Sequence, residues 1–297
     1  MLEQAVAGLA PVPGGIYVDC TFGRGGHSAA ILAKLGGRGV LHAFDQDPEA
    51  SAAASALRAQ HPILQFHPAN FSTLAATCVA LSIGGRVNGV LFDLGVSSPQ
   101  LDNASRGFSF KNDGPLDMRM NPTAGESAAQ WLARADDREI ADVLWQCGDE
   151  RNSRRIARRI VETRASSPIT TTAQLAELIL STHRGPRQKI HPATRSFQAI
   201  RIHINRELEH LAEALGQAVA VLAPGGRLAV ISFHSIEDRL VKRALRDRAR
   251  GDTPSLSLVG KAQFPEPAEE AGNPRARSAV LRVAEKLNPV ASTGGRE

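Results

Sequence analysis

The sequence predicts an α/β fold, a doubly wound, Rossmann-like sheet into which a helical domain is inserted. Short apolar runs that end in an acidic residue alternate with helix-forming segments in residues 1–105, as in parallel βαβ units. The first unit has a glycine-rich loop between its strand and its helix. The stretch from Leu101 to Leu222 is too long for an ordinary crossover and has a helical composition. We therefore expect a sheet domain of residues 1–105 and 206–297 and an inserted helical domain of residues 106–205.

The first βα unit predicts a ligand-binding loop. Residues 16–18 form an apolar strand that Asp19 closes, and residues 28–35 are good helix formers. The loop between them has little side-chain bulk because it contains Gly23, Gly25 and Gly26. Glycine lets the backbone turn sharply and approach a ligand, and the helix start offers unpaired N–H groups. A purely structural glycine turn is the alternative interpretation.

The next strand, residues 38–44, ends at Asp45 and narrows the choice of ligand. Asp45 lies close to the spacing of about 20 residues at which an acidic side chain binds ribose hydroxyls. NAD and S-adenosylmethionine both present an adenosine ribose at this place. The G-x-G-x-x-G pattern is absent, however, and Asp19 would repel a pyrophosphate while favouring a cationic sulfonium. The residues therefore favour methyl transfer over hydride transfer.

Two later strands add candidate residues. Phe71 follows the third strand, residues 63–67, where it could stack on an adenine or serve as an ordinary core residue. The fourth strand, residues 87–92, ends at Asp93, at the edge of the sheet where open α/β folds bind ligands. Amino-directed methyltransferases place an Asp/Asn-Pro-Pro-aromatic turn there, and this chain keeps only its acidic start, in Asp93-Leu94-Gly95-Val96.

The remaining elements follow from periodicity and turn residues. The predicted helices of the insert are residues 127–134, 136–147, 152–164 and 171–182, with one long helix or two in residues 194–222. Strands are predicted in residues 226–233 and 277–284, separated by a helix and a loop of residues 251–274. Ser235 has capping-box spacing to Asp238, and His234 before it is a weaker candidate for substrate contact.

Composition limits the class of protein. The 297 residues are 42% hydrophobic and 22% charged, as in globular proteins, and the net charge of +5 is compatible with a polyanionic partner. Three widely spaced cysteines predict neither disulfides nor a zinc ribbon and fit a reducing cytoplasm. The nine histidines show no metal-ligand spacing, and no signal peptide or membrane-length apolar run is found. We expect a cytoplasmic protein without a metal or a membrane partner.

A local excess of positive charge predicts a polyanion-binding surface. Between Arg151 and Arg206 there are 12 Lys/Arg against Glu162 and Glu177, a net +10 in one block. Such an excess suits phosphate contacts, and a solvated arginine-rich helix face is the alternative. The candidate RNA-binding arginines in this block are Arg154, Arg155, Arg158 and Arg195.

The segment before the helices, residues 105–120, mixes aromatic and basic side chains. Phe108 and Phe110 lie close to Arg106 in the sequence. Exposed aromatics beside cations are typical of a surface that stacks single-stranded bases. The equal alternative is that the two rings are hydrophobic contacts of a loop packed on the sheet.

Several longer motifs together resemble one family. They are Asp19-x-Thr-x-Gly-Arg-Gly-Gly-His-Ser28, Asp93-Leu-Gly-Val-Ser-Ser-Pro-Gln-Leu-Asp102, Arg106-Gly-Phe-Ser-Phe110, Gly114-Pro-Leu-Asp-Met-Arg-Met120, His191-Pro-Ala-Thr-Arg195, Phe197-Gln-Ala-x-Arg-Ile202 and Ile231-Ser-Phe-His-Ser235. On these motifs the chain resembles the RsmH (MraW) family of ribosomal RNA small-subunit cytosine-N4 methyltransferases. The resemblance runs from about Gly15 through Glu285.

The resemblance implies a class I S-adenosylmethionine-dependent methyltransferase domain with an inserted helical RNA-recognition domain. The implied target is the exocyclic N4 of a cytidine in the decoding region of 16S rRNA, within the small ribosomal subunit. The implied cofactor contacts are Gly25, Gly26 and His27 in the loop, Asp45 at the ribose, Phe71 at the adenine, and Asp93 with Gln100 beside the methionine part and the transfer site. Asp93 is also the candidate catalytic residue.

One departure from the family concerns the start of the chain. Family members begin with a further short segment that contains a His and a Pro-Val before the position of Leu2, and this sequence lacks it. A shortened start and a weakened cofactor pocket are the expectation. A nicotinamide-dependent oxidoreductase and a non-catalytic RNA-binding protein remain the alternative functions. The oligomeric state, a homodimer included, is left open, as is the choice between free rRNA and the assembled subunit.

Overall fold

The computed structural model describes residues 1–183 and 191–288. The chain divides into two compact units, a sheet unit of Met1–Gly95 with Leu208–Glu297 and a helical unit of Val96–Glu207. The helical unit begins at Val96 rather than at residue 106, because Val96 and Leu101 pack against its apolar core. The glycine-proline pair at 185–186, three of the twelve basic residues (184, 187 and 189) and the tail after residue 288 lie outside the described residues.

The helices and strands have the following bounds in the described residues. Helices α1 to α13 are Leu2–Leu9, Gly26–Leu35, Pro48–Gln60, Leu74–Ala80, Ser98–Asp102, Ala128–Arg134, Asp137–Gly148, Ser153–Arg164, Thr172–Thr182, Ala193–Ile204, Glu207–Val221, Ser235–Arg248 and Pro267–Gly272. Strands β1 to β7 are Ile16–Asp19, Val40–Phe44, Leu64–His67, Val87–Asp93, Leu222–Ser232, Leu256–Leu258 and Val280–Lys286. Short 3-10 turns cover Phe71–Thr73, Ala104–Arg106 and Pro274–Ser278.

The sheet confirms the predicted fold class. Its order is β3-β2-β1-β4-β5-β7-β6; the first five strands of this order are parallel, and β7 is antiparallel to β5 and to β6. Successive side chains of a strand point to opposite faces. Tyr17 and Leu91 accordingly pack in one apolar cluster with α2 and α3, while Val18 and Phe92 pack in another with α4 and α11. Helices therefore cover both faces of a buried parallel sheet, which is the doubly wound arrangement.

The parallel register brings the ends of three strands to one edge. Asp19 of β1 is paired with Ala43 of β2 on one side and with Leu91 of β4 on the other. Asp45 and Asp93 therefore lie at the same carboxyl edge as Asp19. This is the edge at which open α/β sheets bind ligands.

The helical unit is built from α5 to α10 around a core that includes Trp131, Ile160 and Phe197. Four of its helices begin one residue after the predicted start, because the residue predicted to be first is the N-cap. These N-cap residues are Ser127, Asp136, Asn152 and Thr171. At three of them, Asn152 being the exception, the side chain accepts a hydrogen bond from a backbone N–H of the first helical turn.

Two predictions for the sheet unit were wrong. Residues 251–274 were expected to be a loop, but they contain the edge strand β6, which pairs with β7, and the short helix α13. The cap of α12 is His234 rather than Ser235, and the His234 side chain accepts a hydrogen bond from Glu237 N at 3.3 Å. No helix in the described residues is long and apolar enough to cross a membrane, and no metal-binding cluster of His, Cys, Asp or Glu is found there.

Candidate active site

The glycine-rich loop after β1 leads directly into the first turn of α2. Gly25 is the N-cap of α2 with φ 79°, and a Cβ added there would lie 2.8 Å from the Phe22 ring. Gly26 is the first helical residue, and its φ lies outside the left-handed region. A Cβ added there would meet nothing within 4 Å. The helix start has no side-chain cap, so its first N–H groups are available to a ligand. The loop is a cradle with an open side at Gly26.

Asp45 connects this loop to the end of β2. Its Oδ2 accepts a hydrogen bond from Gly23 N at 2.7 Å, and its Oδ1 accepts one from Asp47 N at 2.8 Å. Burial raises the pKa of Asp45 above its ordinary value, although the two N–H donors oppose that shift. A carboxylate has about four lone-pair sites, so Asp45 can still accept hydrogen bonds from a pair of ribose hydroxyls.

His27 of α2 contacts Asp93 at the end of β4. The His27 Nδ1 and Asp93 Oδ2 atoms are 3.3 Å apart, and Asp93 N donates a hydrogen bond to Thr21 Oγ1 at 2.6 Å. Burial by itself lowers the pKa of His27, but the hydrogen bond and the charge of Asp93, with the charge of Asp19, raise it above its ordinary value. The pair therefore favours a protonated His27 that holds the Asp93 carboxylate in one orientation.

Two buried polar atoms of this pair have no hydrogen-bond partner in the part of the chain that the structure describes. Asp93 Oδ1 and His27 Nε2 are buried, and neither forms a hydrogen bond within the described residues. Leaving a buried polar group unpaired costs about 1–3 kcal/mol, so such atoms mark a place where a bound ligand can complete the hydrogen bonding. Asp19, fully buried and bonded to Ser28 Oγ at 2.7 Å, adds a third carboxylate to this edge. The carboxylates of Asp19 and Asp93 favour a polar ligand that carries a positive charge near Asp93.

Phe71 and Gln100 have local structural roles. Phe71 is half-buried in the turn after β3, packs against the core of the sheet unit, and meets the edge of Phe92 with ring centroids 5.5 Å apart. Gln100 belongs to the helical unit, where its side chain accepts a hydrogen bond from Ser97 N at 2.8 Å in the capping box of α5. Their assignment to the cofactor stays a prediction.

The sequence leaves exposed stacking and packing as equal interpretations of the aromatic rings in residues 105–120, and the structure supports packing for Phe108. Phe108 is 6% exposed in the core of the helical unit, because the chain turns inward there. Arg106 is also buried, where its guanidinium donates to the carbonyls of Arg119 and Met120 and lies 5.7 Å from the Phe108 ring centroid. Both residues therefore hold a loop on the helical core, which agrees with the alternative interpretation except that the loop packs on helices.

Phe110 is only half-buried, but it also packs internally. Its ring lies 4.6 Å from that of His191 and 4.9 Å from that of Phe197, measured between centroids. These contacts pack Phe110 against the apolar core of the helical unit, and its assignment to RNA stays a prediction.

The candidate RNA-binding arginines of the basic block are exposed, whereas Arg164 and Arg201 of the same block are half-buried and hydrogen-bonded within the protein. On α8 the residues Ile156, Ala157 and Ile160 face the core, while Arg154, Arg155 and Arg158 face outward. Arg195 is exposed at the start of α10 and donates to Asp149 O at 3.5 Å. Whether these side chains bind RNA stays a prediction.

Sequence reasoning missed Trp145, which is 55% exposed on α7. The buried stripe of this helix comprises Ile140, Ala141, Leu144 and Gly148, and Trp145, four residues after Ala141, lies at the edge of that stripe. Helical periodicity therefore does not single out Trp145, and its exposure in the fold is what makes it a candidate for an intermolecular contact.

Three features together define a Rossmann-like methyltransferase domain. They are the glycine-rich loop, the carboxylates of Asp45 and Asp93 at the ends of β2 and β4, and the sheet order 3-2-1-4-5-7-6. Sequence comparison makes the class specific. The chain belongs to the MraW methylase family, whose sequence model matches residues 1–287. Its methyl donor is S-adenosylmethionine, as predicted from Asp19 and Asp45.

Close relatives cover almost the whole chain. Proteins named ribosomal RNA small subunit methyltransferase H are 56% identical in Thioalkalivibrio sulfidiphilus, 54% in Nitrosococcus oceani and 53% in Chromohalobacter salexigens. The alignments cover 97%, 96% and 97% of this chain and 96%, 95% and 90% of those proteins. An rRNA methylase of known structure from Streptococcus thermophilus, at 11% identity, covers 96% of this chain and 95% of that one with a TM-score of 0.46, so the family assignment rests on the sequence matches.

Proposed function

We propose that this protein transfers a methyl group from S-adenosylmethionine to the exocyclic N4 of a cytidine in the decoding region of 16S rRNA. The relatives named as methyltransferases of small-subunit ribosomal RNA support the substrate class. The motif resemblance supports the N4 position and the decoding region. The observation that supports the site most directly is the buried Oδ1 of Asp93 beside His27, which forms no hydrogen bond within residues 1–183 and 191–288.

The cofactor would lie across the carboxyl edge of β1, β2 and β4. The backbone at Gly25, Gly26 and His27 would hold its methionine part, and Asp45 would accept hydrogen bonds from its ribose hydroxyls. Phe71 would lie at the adenine. Bound there, S-adenosylmethionine supplies an electrophilic methyl group on a positively charged sulfur, which the nearby carboxylates favour.

Asp93 would act on the nucleophile. The N4 lone pair of cytosine is delocalised into the ring, so the amino group is a weak nucleophile and depends on positioning in line with the methyl group. Asp93 Oδ1 would accept a hydrogen bond from the amino group and raise its electron density, with the carbonyls of residues 94–96 as further acceptors. His27 acts through Asp93 and is a positioning residue.

The RNA must present an unstacked cytidine, because a methyl donor in this pocket cannot reach a base inside a helix. The exposed arginines Arg154, Arg155, Arg158 and Arg195 would bind the phosphates around the target. Reversing three charges among the arginines of α8 would then weaken RNA binding and leave cofactor binding unchanged.

The decisive experiment is methyl transfer from labelled S-adenosylmethionine to undermethylated small ribosomal subunits, with mass spectrometry of the nucleosides. We expect N4-methylcytidine from the unchanged protein and none from Asp93→Ala. Asp252→Ala, which removes an exposed carboxylate, is the matched control and keeps full activity. Near-normal turnover in Asp93→Ala would remove Asp93 from the mechanism.

Calorimetry separates the alternatives. Binding of S-adenosylmethionine, with no binding of NAD, is the expected result. A protein that binds the RNA but neither cofactor would be a non-catalytic RNA-binding protein, and one that binds NAD would be an oxidoreductase.

A further inference from the structure

Trp145 lies in a groove on the surface of the helical unit. The groove has a volume of about 450 Å³ and lies where the outer face of α7 meets the start of α8. Trp145 and Asp142 contribute from α7, and Arg151, Arg154 and Arg155 contribute from the other side. Burying a tryptophan is favourable, so an indole left half-exposed in a groove is available to a partner.

The charge of the groove indicates what that partner is. Three arginines against Asp142 give a net positive lining. Within the described residues, Arg151 and Arg154 form no hydrogen bond or ion pair, while Arg155 donates to Asn152 Oδ1 at 3.0 Å. Guanidinium groups bind phosphate oxygens in pairs, and an indole face stacks on any nucleobase. This combination suits a single-stranded polyanion with aromatic bases better than an acidic peptide, which has no planar group for the indole.

We propose that this groove binds one unpaired nucleotide of the RNA substrate, its base stacked on Trp145 and the adjoining phosphates bound by Arg151, Arg154 and Arg155. The inference rests on the proposed function, because the RNA is the substrate of the same enzyme. In this proposal the base stacks on Trp145 instead of on the buried Phe108 or the packed Phe110. Trp145 lies outside every motif of the family resemblance. The groove binds a nucleotide with little preference for the base, since every base has a π-face.

Tryptophan fluorescence gives a direct readout. The chain has two tryptophans, and Trp131 is fully buried with its Nε1 bonded to Glu139 at 2.7 Å. Titration with single-stranded oligouridine, at fixed salt, is expected to quench the emission of Trp145. The quenching is expected to disappear in Trp145→Phe, which retains Trp131 and an aromatic ring.

Affinity and its salt dependence separate the two parts of the site. Trp145→Ala is expected to lower oligouridine affinity about tenfold, or about 1.4 kcal/mol, with the salt slope unchanged. Trp145→Phe is expected to recover most of that loss. Arg154→Ala is expected to reduce the slope of log affinity against log salt by about 0.7, the value for one phosphate contact on a single strand. Leu180→Ala, which removes an exposed apolar side chain elsewhere on the unit, and Arg58→Glu, in the sheet unit, serve as controls and leave affinity within about twofold.

The outcomes distinguish this site from the proposed function. Unchanged oligouridine affinity and unchanged quenching in Trp145→Ala would overturn the inference. Tighter binding of a polyglutamate peptide than of oligouridine would also overturn it. Failure of the proposed function has a different signature, which is absence of S-adenosylmethionine binding and of methyl transfer in the unchanged protein.

Discussion

Gly26 offers a way to test the cofactor cradle without disturbing the fold. It is the first residue of α2, its φ lies outside the left-handed region, and a Cβ added to it would meet no protein atom within 4 Å. Ala is a better helix former than Gly by up to about 1 kcal/mol. Gly26→Ala is therefore expected to leave the free energy of unfolding unchanged or slightly higher, which raises the melting temperature by at most about 4 °C.

Cofactor affinity is expected to respond in the opposite direction. If the cofactor lies against the open side of the loop, the new methyl group occupies space that the cofactor needs. Inserting one methyl group into a close-packed contact costs about 1–3 kcal/mol, which corresponds to a loss of affinity of about 5- to 150-fold. The hydrogen bond from Gly23 N to Asp45 Oδ2 at 2.7 Å opposes a shift of the loop that would relieve this clash.

Calorimetric titration with S-adenosylmethionine and thermal unfolding of the same samples measure both effects. Gly84→Ala is the matched control, since a Cβ there also meets nothing within 4 Å and lies far from the loop in the sequence. Gly25→Ala is the contrasting variant, because φ 79° and the Phe22 ring at 2.8 Å make it destabilising. Unchanged cofactor affinity in a stable Gly26→Ala protein would refute the placement of the cofactor at this loop.

Two further predictions concern stability. His42 Nδ1 lies 3.1 Å from His67 Nε2, and burial, then the charge of His67, lower the pKa of His42 to about 4. Between pH 6.5 and about 4 the unfolded chain binds a proton that the folded chain does not, so stability falls as pH falls through this window, by up to about 3 kcal/mol. Urea unfolding at both ends of the window measures it, and an equal pH dependence in His42→Asn would contradict it. Gly148→Ala would place a Cβ 2.6 Å from Arg195 O and should destabilise the helical unit by about 1–3 kcal/mol. Hydrogen exchange in α7 measures this loss, and Gly272→Ala, whose Cβ meets nothing, is the control.

The local elements were largely predictable from the sequence. The strand that ends at Asp19, the strand that ends at Asp93 and the helices of the insert follow from apolar periodicity and turn residues. The one-residue offset at helix starts has a simple origin, because Ser127 and Thr171 favour the N-cap position and were counted as helical. The edge strand β6 was missed because three residues give no measurable alternation, and its pairing with β7 stabilises it.

The candidate functional residues differ in how far the sequence predicts their positions. The positions of Asp45 and Asp93 were predictable, because parallel strands all end at one edge and the residues at their carboxyl ends must lie there. The contact of His27 with Asp93 could not be predicted from the sequence, since it depends on the angle at which α2 leaves the loop. Sequence reasoning left exposure and packing as equal interpretations of Phe108, which the fold buries, and it overlooked Trp145, which the fold exposes.

The sequence by itself determined most strands and helices and their succession along the chain, with β6 and α13 as exceptions, together with the glycine loop, the acidic residues at the strand ends and the excess of arginine in the insert. These are consequences of chain periodicity, turn stereochemistry and charge, all of which act over a few residues. Tertiary structure alone decided that Arg106 is buried, that Asp93 Oδ1 lacks a hydrogen-bond partner among the described residues and that Trp145 lies in a basic groove. Solvent exposure and hydrogen bonding depend on which distant segments pack against a side chain, and residue type does not specify that.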